Sequence, residues 1–388
     1  MTRFFSELRD FFRKGDMILL LLCLGATAFG CIMIASTTNH WGYTRYLIIQ
    51  ISAATIGVFL YAIISSIDLE FFSEHRIALI VFNCLLLAML IPFGTDNNTG
   101  NRSWLALPLI PFDIQPAEIC KIAFILIMAS VMASHQTKIS SLFPSIFHMG
   151  FHLALIVGLN YVLSRDAGVS LIFVFIFIGM AFAGGVSLLW FLLAGGGIAV
   201  AWPIIWNNFL TERQRNRFRI LYDPNVDPHG LDERYHSRMS LESLTGGGFM
   251  GQGLFQGNRT QSKEDFLFAQ HTDYIFSATG EELGFVGCAL ILIILIAIIA
   301  RCIYVGIRSQ DYMRRMVCFG AASALIFQVT SNVGMCIGIT PVIGLTLPFF
   351  SYGGSSIVSL YAMLGLVSGV HARPSPATHE LYVRAVYK

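Results

Sequence analysis

The chain has 388 residues, of which 55% are apolar and 12% are charged, where a soluble domain carries about a quarter charged residues. This composition excludes an ordinary water-soluble domain and requires most of the chain to face lipid or other apolar helices. The formal net charge of +2 is spread unevenly between long uncharged runs, so it gives no ground for nucleic-acid binding.

In chain order, residues 1–16 come first. Phe4, Phe5, Leu8, Phe11 and Phe12 recur at helical spacing between Arg3, Arg9, Arg13 and Lys14. This predicts an amphipathic helix lying on the inner leaflet, the alternative being a frayed basic tail. Ten apolar runs follow: Met17 to Ser36, Leu47 to Ile67, Ile77 to Phe93, Ala117 to Ala133, Ile146 to Leu163, Val169 to Ala183, Leu188 to Trp206, Tyr274 to Ala300, Met316 to Ile339 and Gly353 to Val370. They suit a hydrocarbon core about 30 Å thick. Without the dyad alternation of a porin strand they are expected to be α-helices, because lipid leaves no partner for an open backbone. The first run lacks a small-residue cleavage site and reads as a retained helix. The expected fold is therefore an all-α integral membrane protein of ten transmembrane helices over 17–372, followed by a cytoplasmic tail at 373–388.

Orientation follows from the basic residues of the short loops. With the N-terminus inside, the inner segments hold thirteen: Arg3, Arg9, Arg13, Lys14, Arg76, Lys138, Arg301, Arg308, Arg314, Arg315, Arg373, Arg384 and Lys388. The outer ones hold three, Arg45, Arg102 and Arg165. Both termini are expected to be cytoplasmic and the long loop at 207–272, between the seventh and eighth helices, extracytoplasmic. That loop carries Arg213, Arg215, Arg217 and Arg219, a turn-rich acidic stretch from Asp223 to Asp232, and the glycines Gly246, Gly247, Gly248, Gly251 and Gly253. A structureless linker of this length is unusual. The glycines satisfy GxGxxG, but no strand precedes them, which rejects a dinucleotide site. Close backbone approach to a ligand and plain turn chemistry both remain as readings. The eight cysteines (Cys23, Cys31, Cys84, Cys120, Cys288, Cys302, Cys318 and Cys336) sit in or beside apolar runs without a CxxC pair, the pattern of buried hydrophobes.

Ionisable groups at membrane depth are costly unless paired or working, and four places carry them or their polar neighbours. The first is Asn101-Arg102-Ser103-Trp104 with Gln115-Pro116-Ala117-Glu118 and Lys121, where Glu118 and Lys121 share a helix face and form either a structural pair or part of a site. The second is Arg165-Asp166-Ala167-Gly168, a turn and helix cap or a catalytic turn. The third runs from Gln270-His271-Thr272-Asp273 to Glu281-Glu282-Leu283-Gly284. Helical spacing places Asp273, Ser277 and Glu281 on one face, with a plain N-cap as the other reading of Asp273. The fourth is Phe350-Ser351-Tyr352-Gly353-Gly354-Ser355-Ser356, whose small residues also suit close helix packing.

At these residues the sequence resembles a known family. Gln270-His271-Thr272-Asp273 through Glu281-Glu282-Leu283-Gly284-Phe285, Phe350 to Ser356, and Gln115-Pro116-Ala117-Glu118 with Lys121 are similar, in order and spacing, to the hallmarks of the RodA/FtsW/SpoVE (SEDS) family. Two places depart from its pattern: Arg102-Ser103-Trp104 resembles the sporulation-type variant, and Arg165-Asp166 stands where Pro-Asp or Ser-Asp is common. The resemblance implies an inverting peptidoglycan glycosyltransferase at the outer leaflet that polymerises lipid II, with Asp273 as general base. It further implies substrate-binding roles for Arg102, Trp104, Glu118, Lys121, Asp166, His271, Ser351 and Ser355. Lys121 and Arg102, aided by the loop arginines, would meet the pyrophosphate. Glu118 and Asp166 would orient these cations or hold a divalent ion, Mg or Mn. Asp223-Pro224, Asp227-Pro228, Tyr235-His236 and Gly253 to Gly257 look nearer the elongation type. The implied partner is a class B penicillin-binding protein, a transpeptidase. Readings from other classes are a lipid-linked precursor flippase or a scaffold whose charges only pack.

Overall fold

A computed structural model describes residues 14–39, 42, 44–95, 101–106, 113–135, 143–208, 210–223, 226, 233–262, 267 and 269–374. Apart from 14–16 and 373–374, the helix expected over 1–16 and the tail expected at 373–388 lie outside the described residues, as does most of the acidic stretch after Asp223.

The elements, in order, are α1 (Met17–Thr38), α2 (Thr44–Ser66), α3 (Leu69–Glu74), α4 (Arg76–Ala88), α5 (Leu90–Phe93), β1 (Gly94–Thr95), β2 (Trp104–Leu105), α6 (Pro116–Ser134), α7 (Phe143–Ser164), α8 (Ala167–Ala183), α9 (Leu188–Asn208), α10 (Glu212–Arg219), α11 (Glu233–Gly247), α12 (Ile275–Arg308), α13 (Tyr312–Cys336) and α14 (Gly354–Ala372). Among the described residues nine helices are long and apolar enough to cross a bilayer, α4 and α5 counting together, and α8 is equally apolar at 17 residues. Every apolar run expected from the sequence is thus a helix. The two strands form a short antiparallel hairpin pairing Gly94 with Leu105 and Thr95 with Trp104.

Local chemistry starts several of these helices. The Asp16 carboxylate accepts from Leu19 N and opens α1, and Asp311 does the same for α13 through Arg314 N, each relieving a backbone donor that lipid would leave unpaired. Pro116, which has no N–H to satisfy, sits at the start of α6. Thr211 and Gln214 form a reciprocal capping box on α10.

The helices pack through small residues. A Cβ on Gly57 would lie 2.8 Å from the Tyr361 ring, and one on Gly365 would lie 2.9 Å from the Tyr61 carbonyl oxygen, so α2 and α14 run nearly in backbone contact, as interfaces in lipid favour. The core lies where α6, α13 and α14 meet, with Phe124, Met128, Met316, Leu325, Leu360 and Met363 all buried. Side chains such as Leu21, Phe59, Phe182 and Val200 point outward and stay exposed. The helix α9 has no buried residue among those described. All eight cysteines are unpaired and none is exposed, as expected of hydrophobes.

Two boundaries differ from the expected ones. The run beginning at Tyr274 continues to Arg308 and is broken at Gly284, which takes φ 65° and ψ −160°. At about 1.5 Å per residue, 34 residues far exceed the hydrocarbon core, and the break separates a short segment, 275–283, from the spanning one. Arg301 and Arg314, expected in an inner loop, are helical residues engaged by acids, as described below.

Because successive spans alternate in direction, the connection after α1, the β-hairpin, the turn at Asp166, the segment before α12 and residues 337–353 share one end of the bundle. The turns at Asp68, Ser187, Asp311 and Arg373 share the other.

Candidate active site

The segment carrying Asp273 is strung between neighbouring elements by its backbone. Asn332 Nδ2 donates to the Asp273 carbonyl at 2.7 Å and to that of Leu345 at 2.6 Å. Ser351 Oγ donates to the Thr272 carbonyl at 2.5 Å, and Tyr352 N to that of His271 at 2.9 Å. Ala269 starts the turn with φ 58°, a costly conformation for a residue with a Cβ. Gln50 of α2 holds the other side, donating to the Ser351 carbonyl and accepting from Gly353 N. Ser351 therefore shapes the loop beneath Asp273, and the expected packing role of its segment is seen in Phe349 and Phe350, both buried against Tyr361 and Phe29.

Among the described residues the Asp273 side chain caps nothing. α12 begins at Ile275 behind Tyr274, without a side-chain cap bond, so neither the N-cap nor the shared helical face expected for Asp273, Ser277 and Glu281 is formed. Ser277 instead meets Ser240 Oγ at 2.5 Å, and Glu281 accepts from Arg259 N at 2.8 Å and Thr260 N at 3.2 Å. The Asp273 carboxylate, half-buried, makes no hydrogen bond or ion pair among the described residues and lies 3.4 Å from where a Cβ on Gly344 would stand. Its pKa is pushed up to about 6, first by burial and then by the Asp166 charge, against the opposing pull of Arg217.

Asp166 is the N-cap of α8, accepting from Val169 N at 3.1 Å, and its other oxygen accepts from Ser103 Oγ at 3.3 Å. Burial also raises its pKa, with these bonds and Arg217 opposing. A Cβ on Gly168 would collide with Ile343 Cγ2, so the start of α8 packs against the same 342–344 segment that borders Asp273. Two carboxylates thus face one region, and Arg217 of α10 acts on both. The basic cluster was legible in the sequence, but not which of its four arginines serves the acids.

The other expected residues distribute differently. Arg102 is exposed and donates from Nε to the Gly94 carbonyl at 2.9 Å, closing the hairpin that carries Trp104. Its neighbour Ser103, buried, is the one that reaches Asp166. His271 lies between the rings of Tyr46 and Tyr352, 4.8 and 5.8 Å from their centroids. Ser355 Oγ accepts from Gln115 N at 3.3 Å and so fixes the entry to α6.

Glu118 and Lys121 do form the expected pair, at 2.8 Å, but deep in the bundle: Lys121 is 1% exposed. Lys121 Nζ also reaches Gln328 of α13 at 3.4 Å, and Ser359 of α14 donates to Glu118 at 2.6 Å. The cation is enclosed here, neutralised by a neighbour one turn away, and the structure does not bring it to the surface beside Asp273. Nor does it bring Glu118 and Asp166 to a common ion, since each carboxylate has its own partners. Among the described residues no three His, Cys, Asp or Glu side chains are grouped to hold a metal ion.

Asn332 and Gly344, which seat Asp273, escaped the sequence reading. An amide inside the apolar helix α13 was the available signal, since a polar group there needs a partner. The glycine run, by contrast, has a definite use. Gln252 N and Gly253 N donate to the Glu281 and Glu282 carbonyls, and Phe285 N donates to the Gly248 carbonyl, each at 2.9 Å. A Cβ on Gly251 would collide with the Glu282 carbonyl oxygen. The close approach is to the broken helix α12, whose freed backbone groups the loop satisfies.

A multi-helix membrane protein with two half-buried carboxylates and a cationic helix at one end is the class that this fold and site define. The FtsW/RodA/SpoVE family model, described as cell cycle protein, matches residues 16–375, and the chain belongs to that family. The peptidoglycan glycosyltransferase MrdB of Escherichia coli K12 is 31% identical over 92% of this chain and 93% of its own. A probable peptidoglycan glycosyltransferase FtsW of Geobacter sp. (strain M18) is 30% identical over 92% and 97%. A solved structure reported under the words "structural coordination of polymerization and crosslinking by a peptidoglycan synthase complex" superposes with a TM-score of 0.79 at 28% identity, covering 93% of this chain and 98% of that one. The rod shape determining protein RodA of Thermus thermophilus superposes at 0.68 with 25% identity over 93% and 98%.

Proposed function

We infer that the protein is a peptidoglycan glycosyltransferase that polymerises lipid II, with Asp273 as its general base. The observation that carries the assignment of the base is the Asp273 carboxylate, fixed through its backbone, uncapped, unpaired among the described residues and titrating near 6. A base of that pKa is mostly ionised at neutral pH yet basic enough to take a proton as the acceptor reacts. In the reaction, the 4-hydroxyl oxygen of the acceptor GlcNAc bonds to C1 of the donor MurNAc, opposite the breaking bond to the pyrophosphate oxygen. C1 inverts, the hydroxyl proton passes to Asp273, and undecaprenyl pyrophosphate leaves as an anion. Arg217 is the cation that already acts on this region, and it supplies part of the positive field that the departing pyrophosphate needs. Ser103 and Asp166 hold the hairpin of Arg102 and Trp104 beside the base.

The site end is assigned to the outer face of the cytoplasmic membrane, with both termini inside, on the thirteen-to-three asymmetry of Lys and Arg in the short segments. A class B penicillin-binding protein is the proposed partner and cell elongation the proposed setting, supported by the likeness to MrdB, RodA and the synthase complex.

A flippase would need working charges through both leaflets, whereas at the opposite end Asp16 is held by Arg301 at 2.8 Å and Asp68 by Arg314 at 2.7 Å. Purified protein given labelled lipid II is expected to produce glycan ladders. Transfer of lipid II across vesicles without ladders would establish the flippase instead.

A further inference from the structure

Behind the broken start of α12 lies a cavity of about 390 Å³ lined by Met239, Glu242, Gln252, Asn258, Arg259 and Glu281. This falls within the range of roughly 300–1,000 Å³ typical of small-molecule sites. Its walls come from α11, the glycine-rich turn and the 257–261 turn, with the first segment of α12 as the floor. We propose that it is a saccharide subsite that holds a unit of the glycan strand away from the reacting bond, a proposal that rests on the polymerase reading above.

The walls are pre-formed. Asn258 N donates to Gln252 Oε1 at 2.8 Å, Gln252 Nε2 to the Gly246 carbonyl at 3.3 Å, and Arg259 N to Glu281 Oε1 at 2.8 Å. The backbones behind them approach too closely for a Cβ at Gly247 or Gly251, and the Thr260 side chain leaves no room for one at Gly257. Such a cavity keeps its shape without a ligand, which lowers the ordering cost of binding.

Its charge selects the ligand. Arg259 Nη2 is held by Glu242 at 2.6 Å, and Arg238, one turn earlier on α11, meets the same carboxylate at 3.3 Å. With Glu281 the two acids balance the two arginines, so no surplus cation addresses a pyrophosphate. The polar groups that remain suit a neutral ligand rich in hydroxyls and amides. The exposed Asn258 carboxamide, without a partner among the described residues, offers a donor and an acceptor together. Met239, 5% exposed, gives the apolar surface on which the C–H face of a sugar ring rests. The cavity also lies at the same end of the bundle as Asp273.

The test uses the full-length protein in lipid nanodiscs and a peptide-free tetrasaccharide of alternating GlcNAc and MurNAc, its lactyl carboxyls capped as methylamides so that the probe is neutral as in the strand, titrated by calorimetry or ligand-observed NMR. Wild type and Asp273→Asn are both expected to bind. Asn258→Ala is expected to bind about threefold to tenfold more weakly, the value of one hydrogen bond. Asn258→Trp, which fills the mouth, is expected to abolish binding and to shorten the strands made from lipid II. Asn258 is exposed, and an unchanged thermal melt confirms that either variant folds. Absence of tetrasaccharide binding to wild type, unchanged binding to Asn258→Trp, or binding of the free stem peptide in place of the sugar would each overturn the subsite. Failure of wild type to polymerise lipid II while still binding the tetrasaccharide at Asn258 would sink the polymerase reading and leave the subsite standing.

Discussion

The two ends of the helix bundle treat the aspartates beside their helix starts in opposite ways. At the end of the Asp16 turn acids are paired with arginine: Asp16 with Arg301 at 2.8 Å, and Asp68 and Glu70 with Arg314 at 2.7 and 3.7 Å. Arg314 also donates to the Arg373 carbonyl, and Arg373 ties down the carbonyls of Ser65, Ser66 and Ile67 at the end of α2. At the other end Asp166 and Asp273 face one another's field, Asp273 has no ion pair among the described residues, and the positive charge opposing them both comes from Arg217 on the small helix α10. Backbone strain follows the same division. The four non-glycine residues with positive φ among those described, Arg165, Phe255, Ala269 and Phe349, all lie in connections at the site end. Matched charge and relaxed backbone make a clasp. Unmatched charge and strained backbone cost stability and persist where chemistry requires them.

The largest effect expected from this contrast is at Asp273. Asp273→Asn preserves shape but removes the base, and polymerisation should fall on the order of a hundredfold to ten-thousandfold while the protein stays folded. Between pH 3.8, the ordinary carboxyl value, and about 6, the folded protein binds more protons than the unfolded chain, so this group lowers stability as pH rises through that window. An asparagine in its place carries no such penalty, and the Tm of the Asp273→Asn variant at pH 7 should equal or exceed that of wild type. A rate within about threefold of wild type, far short of the loss expected for a missing base, would remove Asp273 from the chemistry.

The clasp should show the reverse pattern. Arg314, 1% exposed, is buried, and removing one partner of a buried pair costs about 3–5 kcal/mol, discounted here because Asp68 is about a third exposed. Arg314→Ala should therefore lower Tm clearly and leave the rate per folded molecule close to wild type. Loss of catalysis at unchanged Tm would end the division between a structural and a chemical end.

The smallest effect concerns pH. With Asp273 as base, the rate should rise with pH to a plateau through a midpoint near 6. Arg217 holds that pKa down, so Arg217→Gln should move the midpoint upward, read from a pH profile of initial rates. An unmoved midpoint would place Arg217 outside the field of the base.

Much of this architecture was present in the sequence for a simple physical reason: lipid forces long apolar runs into helices that satisfy their own backbone. That constraint is local, so the membrane-spanning helices could be anticipated, and the spacing of Glu118 and Lys121 predicted their contact within one helix turn. The motifs likewise singled out Asp273 and Asp166 as residues too costly to place idly. What the tertiary structure alone decided depends on contacts between segments far apart in the chain. The break at Gly284 exists because the glycine run donates to the freed carbonyls of α12, and periodicity carries no trace of it. Asp273 leaves the helical face that its spacing to Ser277 and Glu281 suggested because Asn332, Ser351 and Tyr352 hold its turn from α13 and the 337–353 connection. The burial of Lys121 against Gln328 and Ser359's bond to Glu118 depend in the same way on which helices meet. Propensity and hydrophobic period act within a few residues, whereas the field at a carboxylate is set by whatever the packing of the whole bundle brings near it.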